Sequence, residues 1–296
     1  RGVTDELLSF QRSQERWNDK LAKLKKQHLD AVNQLVKKNP RTRTKFGAGH
    51  SKRQATEYIE KLFNELENFL KKVTKWTPKD LDYLASFGER FSAYIIAASI
   101  KNAYFADARE LVKTDNNFVN AAVNFNKTNR RIQNYFKNKK GILVITGFLG
   151  STNKGETTTL GRGGSDYTAA IFGAALGVKM IEIWTDVDGV MSADPKLVKN
   201  AGVLPKISYE EAIEMAYFGA KVIHPATMLP AIKKGIPILI KNTFNPLAPG
   251  TLIQKDLIPE PFIKGVTAID GVTLINIAGI RLFGIPGSAA RVFKST

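Results

Sequence analysis

Apolar residues recur at helical spacing through the first third of the chain. They fall every three or four positions from Leu7 to Val36 and again from Tyr58 to Val73, which predicts amphipathic helices in both stretches. Thr77 before Pro78 is typical of a helix start, and the apolar stripe of that helix continues to about Lys101. The N-terminal region is therefore predicted to be helical.

Beyond residue 141 short apolar runs alternate with helical segments. Three runs predict strands, at Gly141–Thr146, Met180–Trp184 and Ile236–Ile240. Helices are predicted between them, at Tyr167–Leu176 and after the capping box Ser208–Glu211. This alternation predicts a mainly parallel sheet with helices on both faces. The first strand is almost wholly apolar, so we expect it to be covered on both faces.

The predicted topology also indicates where a ligand binds. Parallel sheets bind ligands beyond the carboxyl ends of their strands. We therefore expect the loops after Thr146 and Trp184 and the segment around Lys241 to lie near one another. A new unit begins near Val266, but roughly thirty residues cannot bury a core alone. We interpret it as a fragment of a domain or a docked extension.

Composition narrows the class of protein. The 296 residues are 43% hydrophobic and 24% charged, which is ordinary for a globular protein. No apolar run approaches the roughly 18 residues that cross a bilayer, so we expect a soluble cytoplasmic protein without a membrane segment. The absence of Cys excludes disulfides, thiolate metal ligands and a Cys nucleophile, and the three His are far apart.

The chain is strongly basic. Its formal net charge is +17 and its pI is about 9.8, a balance that attracts polyanions. The basic N-terminal part has no nucleic-acid motif and no interleaved aromatic residues. We favour solvated basic helix faces over a nucleic-acid surface, which stays an alternative.

The densest chemical signal is a glycine-rich turn ahead of the helix predicted from Tyr167. Its glycines let the backbone approach a ligand, and the helix N-terminus behind them presents free N–H groups. Arg162 adds a planar fork suited to a carboxylate or phosphate, and Asp166 suits an ammonium group. The turn therefore fits an α-amino acid, although spacing alone equally allows a plain turn with Asp166 as a first-turn acid. The glycines are Gly161, Gly163 and Gly164.

Other polar segments carry weaker signals. The spacing of glycines from Gly150 to Thr157 imitates a phosphate loop, but Glu156 stands where such a loop needs Lys, and we reject it. Asp186 and Asp188 follow a predicted strand and could hold a metal ion or a ribose, although a tight turn explains them better.

Two further residues have structural explanations that compete with function. Lys221 near a helix end suits either a phosphate contact or the helix dipole. A helical wheel places Glu89 well off the apolar stripe of its helix, so periodicity predicts solvent exposure for its side chain.

Taken together, these segments resemble the aspartate kinases of the amino-acid kinase family. The resemblance covers the start of the chain and most of residues 80–255, in the order of the family's motifs. The tail resembles the start of an ACT regulatory domain. The matching strings are GVTDELL (2–8), SFGERFSA (86–93), TDNNF (114–118), VITGFLG (144–150), TTTLGRGGSDYTAA (157–170), EIWTDVDGV (182–190), FGAKVIHPAT (218–227) and IPILIKNTFNP (236–246).

The resemblance implies a fold, a reaction and partners. The fold would be a three-layer αβα sandwich, with a catalytic domain over 1–260 and the beginning of an ACT domain over 261–296. The reaction would transfer the γ-phosphoryl group of ATP, with Mg²⁺, to the β-carboxylate of L-aspartate, giving 4-phospho-L-aspartate for lysine, threonine and methionine synthesis. The resemblance also implies a homodimer or larger homo-oligomer, with lysine or threonine as a possible effector at the ACT region.

Residue roles follow from the same resemblance. Lys221 and Asp186 would be catalytic, and no side chain is assigned as a metal ligand. Met191 and Lys196 stand where Tyr and Arg are common in the family. The aspartate site would comprise Thr4, Glu89, Arg162, Gly163, Gly164, Ser165 and Asp166, and the nucleotide site Thr185, Asp186, Met191, Lys196, Lys221 and Val222.

One departure from the family pattern changes the expected activity. The family begins with a strand and a Lys-Phe-Gly-Gly-Thr-Ser loop, whereas this chain begins inside the next motif. The segment Lys45–Ser51 has only a superficial likeness to that loop. We expect upstream residues to exist, and we expect little activity without them.

Three alternative functions stay open. The protein could be a relative that acts on another small acid or amine, a basic nucleic-acid-binding protein or a non-catalytic regulatory homologue.

Overall fold

The computed structural model describes residues 2–12, 17–36, 51–218, 224–255, 263–269, 271–273, 287, 290 and 293–294. The N-terminal part is helical, as predicted. Its elements are α1 (Val3–Leu8), a 3-10 turn (Ser9–Arg12), α2 (Trp17–Leu35), α3 (Lys52–Lys72) and α4 (Pro78–Ser99).

These helices share one apolar core. The rings of Phe63 on α3 and Phe91 on α4 stack with centroids 4.3 Å apart, and the buried His28 of α2 packs against both. Burial lowers the pKa of His28. The predicted helix start at Thr77 is confirmed, because its side chain accepts a hydrogen bond from the Asp80 backbone as the N-cap of α4.

The remaining elements alternate between strands and helices. The predicted α/β class is therefore confirmed. In chain order they are β1 (Ala103–Ala106), α5 (Ala108–Leu111), α6 (Phe125–Phe136), β2 (Ile142–Ile145), β3 (Leu149–Ser151), β4 (Thr157–Thr159), α7 (Gly164–Leu176), β5 (Ile181–Thr185), β6 (Lys206–Ser208), α8 (Tyr209–Tyr217), α9 (Pro225–Ile232), β7 (Ile238–Asn242) and β8 (Thr251–Gln254).

The strands of the described segments form three hydrogen-bonded groups rather than one continuous sheet. Strands β1 and β2 pair in parallel, and β3 and β4 form an antiparallel hairpin. The third group has the order β5-β7-β8-β6, in which β7 and β8 are antiparallel and the other pairs are parallel. Strand β2 also differs from its prediction, because Ile142 is 52% exposed instead of covered on both faces.

The carboxyl ends of β5 and β7 coincide. Thr185 stands opposite Asn242, and the next backbone N–H, of Thr243, donates to the Thr185 carbonyl at 2.8 Å. Helix α7 precedes β5 through a short turn, so the two run in opposite directions. The N-terminus of α7 therefore lies at the same end of the fold as Thr185. Gly173 of α7 allows close packing on Ile181, since a Cβ at position 173 would lie 2.7 Å from the Ile181 side chain.

Two predictions concern residues that are sparsely described. Much of the C-terminal tail, and the segment Lys45–His50, lie outside the described residues. The predicted boundary at residue 260 stays a prediction.

None of the described helices has the length and apolarity that crossing a membrane requires.

Candidate active site

Glu89 points into the protein rather than into solvent, so the exposure predicted from periodicity is wrong. Its carboxylate is partly buried and accepts a hydrogen bond from the backbone N–H of Gly147, in the loop after β2. Burial raises the pKa of Glu89, and the Gly147 hydrogen bond opposes that rise. A partly buried carboxylate whose hydrogen bond only partly offsets its desolvation favours a cationic ligand.

Thr4 lies beside the same turn of α4. Gly88 makes this possible, because a Cβ at that position would lie only 2.9 Å from the Thr4 hydroxyl oxygen. Helix α1 therefore packs against α4 at Gly88, the residue before Glu89. The structure thus places Thr4 beside a helix that is far from it in the sequence.

The loop after β2 also contacts the start of α7. A Cβ on Gly147 would lie 2.7 Å from Ser165 Oγ, so Ser165 faces the residue that binds Glu89. The Phe148 N–H donates to the Thr168 hydroxyl at 2.9 Å, and that hydroxyl donates to the Gly164 carbonyl at 2.8 Å. These contacts fix the first turn of α7 against the loop.

The glycine-rich turn has a backbone that glycine alone adopts readily. Gly161 and Gly163 have φ values of +74° and +70°. Gly163 is the N-cap of α7, and no side chain caps the helix there. The Gly164 N–H donates to the Gly161 carbonyl at 3.1 Å, so the next N–H groups of α7, those of Ser165 and Asp166, are the ones that face an anionic ligand, which the helix dipole also attracts.

Arg162 and Asp166 supply the charges of this turn. Arg162 is exposed, and Asp166 is partly buried. Burial raises the pKa of Asp166, whose carboxylate has no hydrogen bond or ion pair within the described part of the chain. The turn therefore offers a cation and an anion a few residues apart, as the sequence predicts.

A second set of polar residues follows β5. Thr185 donates from its hydroxyl to Asp186 at 3.1 Å. Asp188 accepts hydrogen bonds from the side-chain amides of Asn242 at 2.8 Å and Asn245 at 3.1 Å, which ties the β5 loop to the β7 loop. The predicted convergence of these two loops is thus confirmed.

The structure gives less detail for the other residues that are predicted to contact a nucleotide. Met191 is partly buried and pairs with Val203, and Lys196 is exposed. Lys221 and Val222 lie outside the described residues. The chain is described again from His224, which packs on the glycine-rich turn: a Cβ on Gly163 would lie 3.2 Å from the His224 Cβ and 3.0 Å from a Thr227 methyl.

The family to which the chain belongs follows from comparison with known proteins. A family model described as the amino acid kinase family matches residues 2–242. That match spans most of the chain, so the chain belongs to the amino acid kinase family.

The similar relatives are aspartokinases. Aspartokinase 1, chloroplastic, of Arabidopsis thaliana is 40% identical over 244 residues, which are 78% of this chain and 43% of the relative. Bifunctional aspartokinase/homoserine dehydrogenase 1, chloroplastic, of the same plant is 40% identical over 228 residues, 72% of this chain and 25% of the relative. The chain thus spans less than half the length of these relatives.

Solved structures agree with this grouping. E. coli aspartokinase III in complex with aspartate and ADP has a TM-score of 0.76 and 31% identity, over 87% of this chain and 56% of that chain. The same enzyme with lysine and aspartate has a TM-score of 0.75 and 28% identity, over 99% of this chain and 65% of that chain. The amino-acid kinase fold predicted from the sequence is therefore confirmed.

Proposed function

We propose that the full-length protein is an aspartate kinase, which transfers the γ-phosphoryl group of ATP to the side-chain carboxylate of L-aspartate. The observation that carries this proposal is that Gly147 hydrogen-bonds Glu89 and lies against Ser165, which brings α4 to the start of α7. The proposed amino-acid pocket lies at this contact, where the partly buried carboxyl groups of Glu89 and Asp166 accompany an uncapped helix N-terminus and Arg162. The aspartokinase relatives support the same substrate.

The pocket suits a zwitterion with a second acidic group. The substrate ammonium group offsets the cost of burying the charged Asp166 and Glu89 carboxylates, because a nearby cation favours their charged forms. Arg162 binds the α-carboxylate through a bidentate pair, and Thr4 and Ser165 add hydroxyl donors. Gly163 and Gly164 complete the proposed aspartate site because they let the ligand approach the backbone, next to the N–H groups of Ser165 and Asp166.

The nucleotide is assigned to the end of β5. The proposed catalytic residues at the phosphates are Lys221 and Asp186. The full set of proposed contacts is Thr185, Asp186, Met191, Lys196, Lys221 and Val222.

In the reaction an oxygen of the substrate's β-carboxylate attacks the γ-phosphorus, the bond to the β–γ bridging oxygen breaks, and ADP leaves with that oxygen. Both reactants are anionic, so alignment and neutralisation of charge provide the catalysis.

Mg²⁺ fits this site on the chemistry of its donors. Asp186 and Asp188 follow β5 directly, and a Mg²⁺ ion carried by nucleotide phosphates needs only one or two carboxylates from the protein. When bound, Mg²⁺ neutralises charge on the β- and γ-phosphates. The residues of the pocket hold and orient the amino acid.

Finer features are proposed with the activity. They are a role in lysine, threonine and methionine synthesis, a homodimer or larger assembly, and control by lysine or threonine through an ACT domain that begins at 261. The E. coli relative bound to lysine supports an amino-acid effector. The cytoplasmic location stays a prediction.

The test is aspartate-dependent ADP release by the full-length protein. We expect turnover with L-aspartate, and a hydroxamate when hydroxylamine traps the acyl phosphate. D-aspartate and succinate serve as controls, since each lacks the correctly placed ammonium group. Turnover with another small acid and none with L-aspartate would contradict the assignment of substrate.

A further inference from the structure

Asp82 is a buried carboxylate on α4 that has no part in the site described above. Its side chain is 2% exposed, and three donors from two distant segments reach it. The backbone N–H groups of Val119 and Thr159 donate to Oδ2 at 2.9 and 3.0 Å, and the Thr159 hydroxyl donates to Oδ1 at 2.7 Å. Because a buried carboxylate needs such donors, Asp82 joins α4 firmly to both segments.

Thr159 ends β4 just ahead of the glycine-rich turn. Its N–H is bound by Asp82, and its carbonyl accepts from the Ala121 N–H at 2.9 Å. The next N–H, of Leu160, donates to the Phe148 carbonyl at 2.9 Å. The chain therefore starts from a fixed point only three residues before Arg162.

The segment that contains Val119 supports the same turn. Val119 has a φ of +73°, a left-handed backbone that is strained for a β-branched residue and persists only where its surroundings hold it. Its neighbour Asn120 lies against Gly161, where a Cβ would collide with the Asn120 amide oxygen. The segment after Thr114–Phe118 thus packs against the glycine-rich turn, and the hydrogen bond to Asp82 holds that segment in place.

Asp82 and Glu89 lie on the same face of α4, two helical turns apart. Glu89 borders the amino-acid pocket directly. Asp82 fixes the end of β4, from which the chain continues to Gly161 and Arg162, and the Val119 segment, whose Asn120 lies against Gly161. One rigid helix therefore sets the distance between the two sides of the pocket.

We propose that Asp82 is a positioning residue, which sets where the Arg162 turn meets the amino-acid substrate. The inference rests on the proposed aspartate kinase activity. Without the Asp82 joint the turn shifts relative to Glu89, so capture of L-aspartate weakens while ATP binding at β5 is unaffected.

The test compares two substitutions at adjacent positions of β4. Thr159→Val removes the hydroxyl that donates to Asp82. Thr158→Val is the matched control, because the Thr158 hydroxyl is equally buried and bonds to Thr114 instead, at 2.8 Å. We expect Thr159→Val to raise the KM for L-aspartate about tenfold, with the KM for ATP within about twofold, and Thr158→Val to leave both within about twofold.

A third variant addresses the carboxylate itself. Asp82→Asn keeps the shape but gives up the negative charge, so we expect a larger rise in the KM for L-aspartate than with Thr159→Val. Thermal unfolding shows whether this variant folds, and Thr159→Val decides the question if it does not. An equal KM for L-aspartate in the Thr159 and Thr158 variants of an active enzyme overturns the inference.

Failure of the proposed function has a different signature. A wild-type protein that turns over no L-aspartate rejects the kinase assignment whatever the variants do. Calorimetric titration with L-aspartate then supplies the comparison between the Thr159 and Thr158 variants. Equal affinities, or no binding to either variant, reject the positioning role.

Discussion

Asp166 and Glu89 are both carboxyl groups taken partly out of water. Burial raises both pKa values, and only Glu89 has a compensating hydrogen bond, from Gly147. In the free protein this burial costs stability when the groups are charged, above their raised pKa values. A bound ammonium group offsets that cost, because a nearby cation favours the charged forms of both carboxyl groups.

The affinity for L-aspartate should therefore depend on pH. As pH falls through the raised pKa values, Asp166 and Glu89 become protonated and no longer attract the ammonium group. We expect the affinity to fall while the pH is still above the ordinary values of 3.8 and 4.5. Calorimetric titration across this range measures the effect.

Asp166→Asn provides the control for this prediction. It removes one titrating group of the protein and none of the ligand, so it should weaken binding at neutral pH and flatten the pH profile. A variant with an unchanged profile would remove Asp166 from the pocket.

Arg162→Lys tests the fork at the start of α7. A lysine ammonium keeps the charge but loses the bidentate geometry, so we expect the KM for L-aspartate to rise about tenfold or more and the KM for ATP to stay constant. Arg130→Lys on α6 is the matched control, because Arg130 is exposed and does not border the pocket. Equal effects of the two substitutions in steady-state kinetics would refute the role of Arg162.

At this scale the sequence predicts only residues whose chemistry is local. The charges of Arg162 and Asp166 stand in one short turn, so their pairing can be predicted from spacing. Glu89 cannot, because Gly147, from a distant segment, binds it. Asp82 is missed for the same reason, since only the fold brings Val119 and Thr159 to it.

Among the elements, helix starts are predicted well because their signals are contained in a few residues. Ser208 caps α8 and forms a reciprocal capping box with Glu211, as its sequence indicates. The division of the strands into three groups is not predictable in this way. It depends on which strands form hydrogen bonds with one another, such as β7 with β8. No pattern within either strand identifies its partner.

Ser208→Ala should reduce the free energy of unfolding by about 1 kcal/mol, because the Glu211 backbone N–H loses its capping partner. Ser99→Ala is the control, since that exposed hydroxyl bonds only within its own helix, and we expect a change below about 0.5 kcal/mol. Denaturant unfolding of the two variants measures the difference. Indistinguishable midpoints would contradict the capping role.

Across the whole molecule, α4 connects the helical region with the pocket. Its aromatic residues pack in the N-terminal core, while Asp82, Gly88 and Glu89 face the segments that form the site. In the proposed aspartate kinase, the helical region would therefore help to position the amino acid. The sequence predicts both regions as separate patterns but does not reveal that one helix serves both.

We interpret the net charge of +17 as the sum of solvated helix faces, which stays a prediction. In α3, Arg53 and Lys71 form exposed pairs with Glu57 and Glu67. We expect binding to a labelled duplex to be nonspecific, weaker than about 1 μM at 150 mM salt, and steeply weaker with added salt. Fluorescence anisotropy at 50 and 200 mM salt measures this, and tight binding that depends on base sequence would revive the nucleic-acid alternative.

Trp184 gives this molecule an internal optical probe. This residue is 47% exposed at the end of β5, with the Lys241 ammonium 5.6 Å from the centroid of its ring. The other two tryptophans, Trp17 and Trp76, pack against the N-terminal core. A nucleotide that enters beside β5 would therefore change the emission of one indole and leave the other two as an unchanging background, so occupancy can be followed without any label.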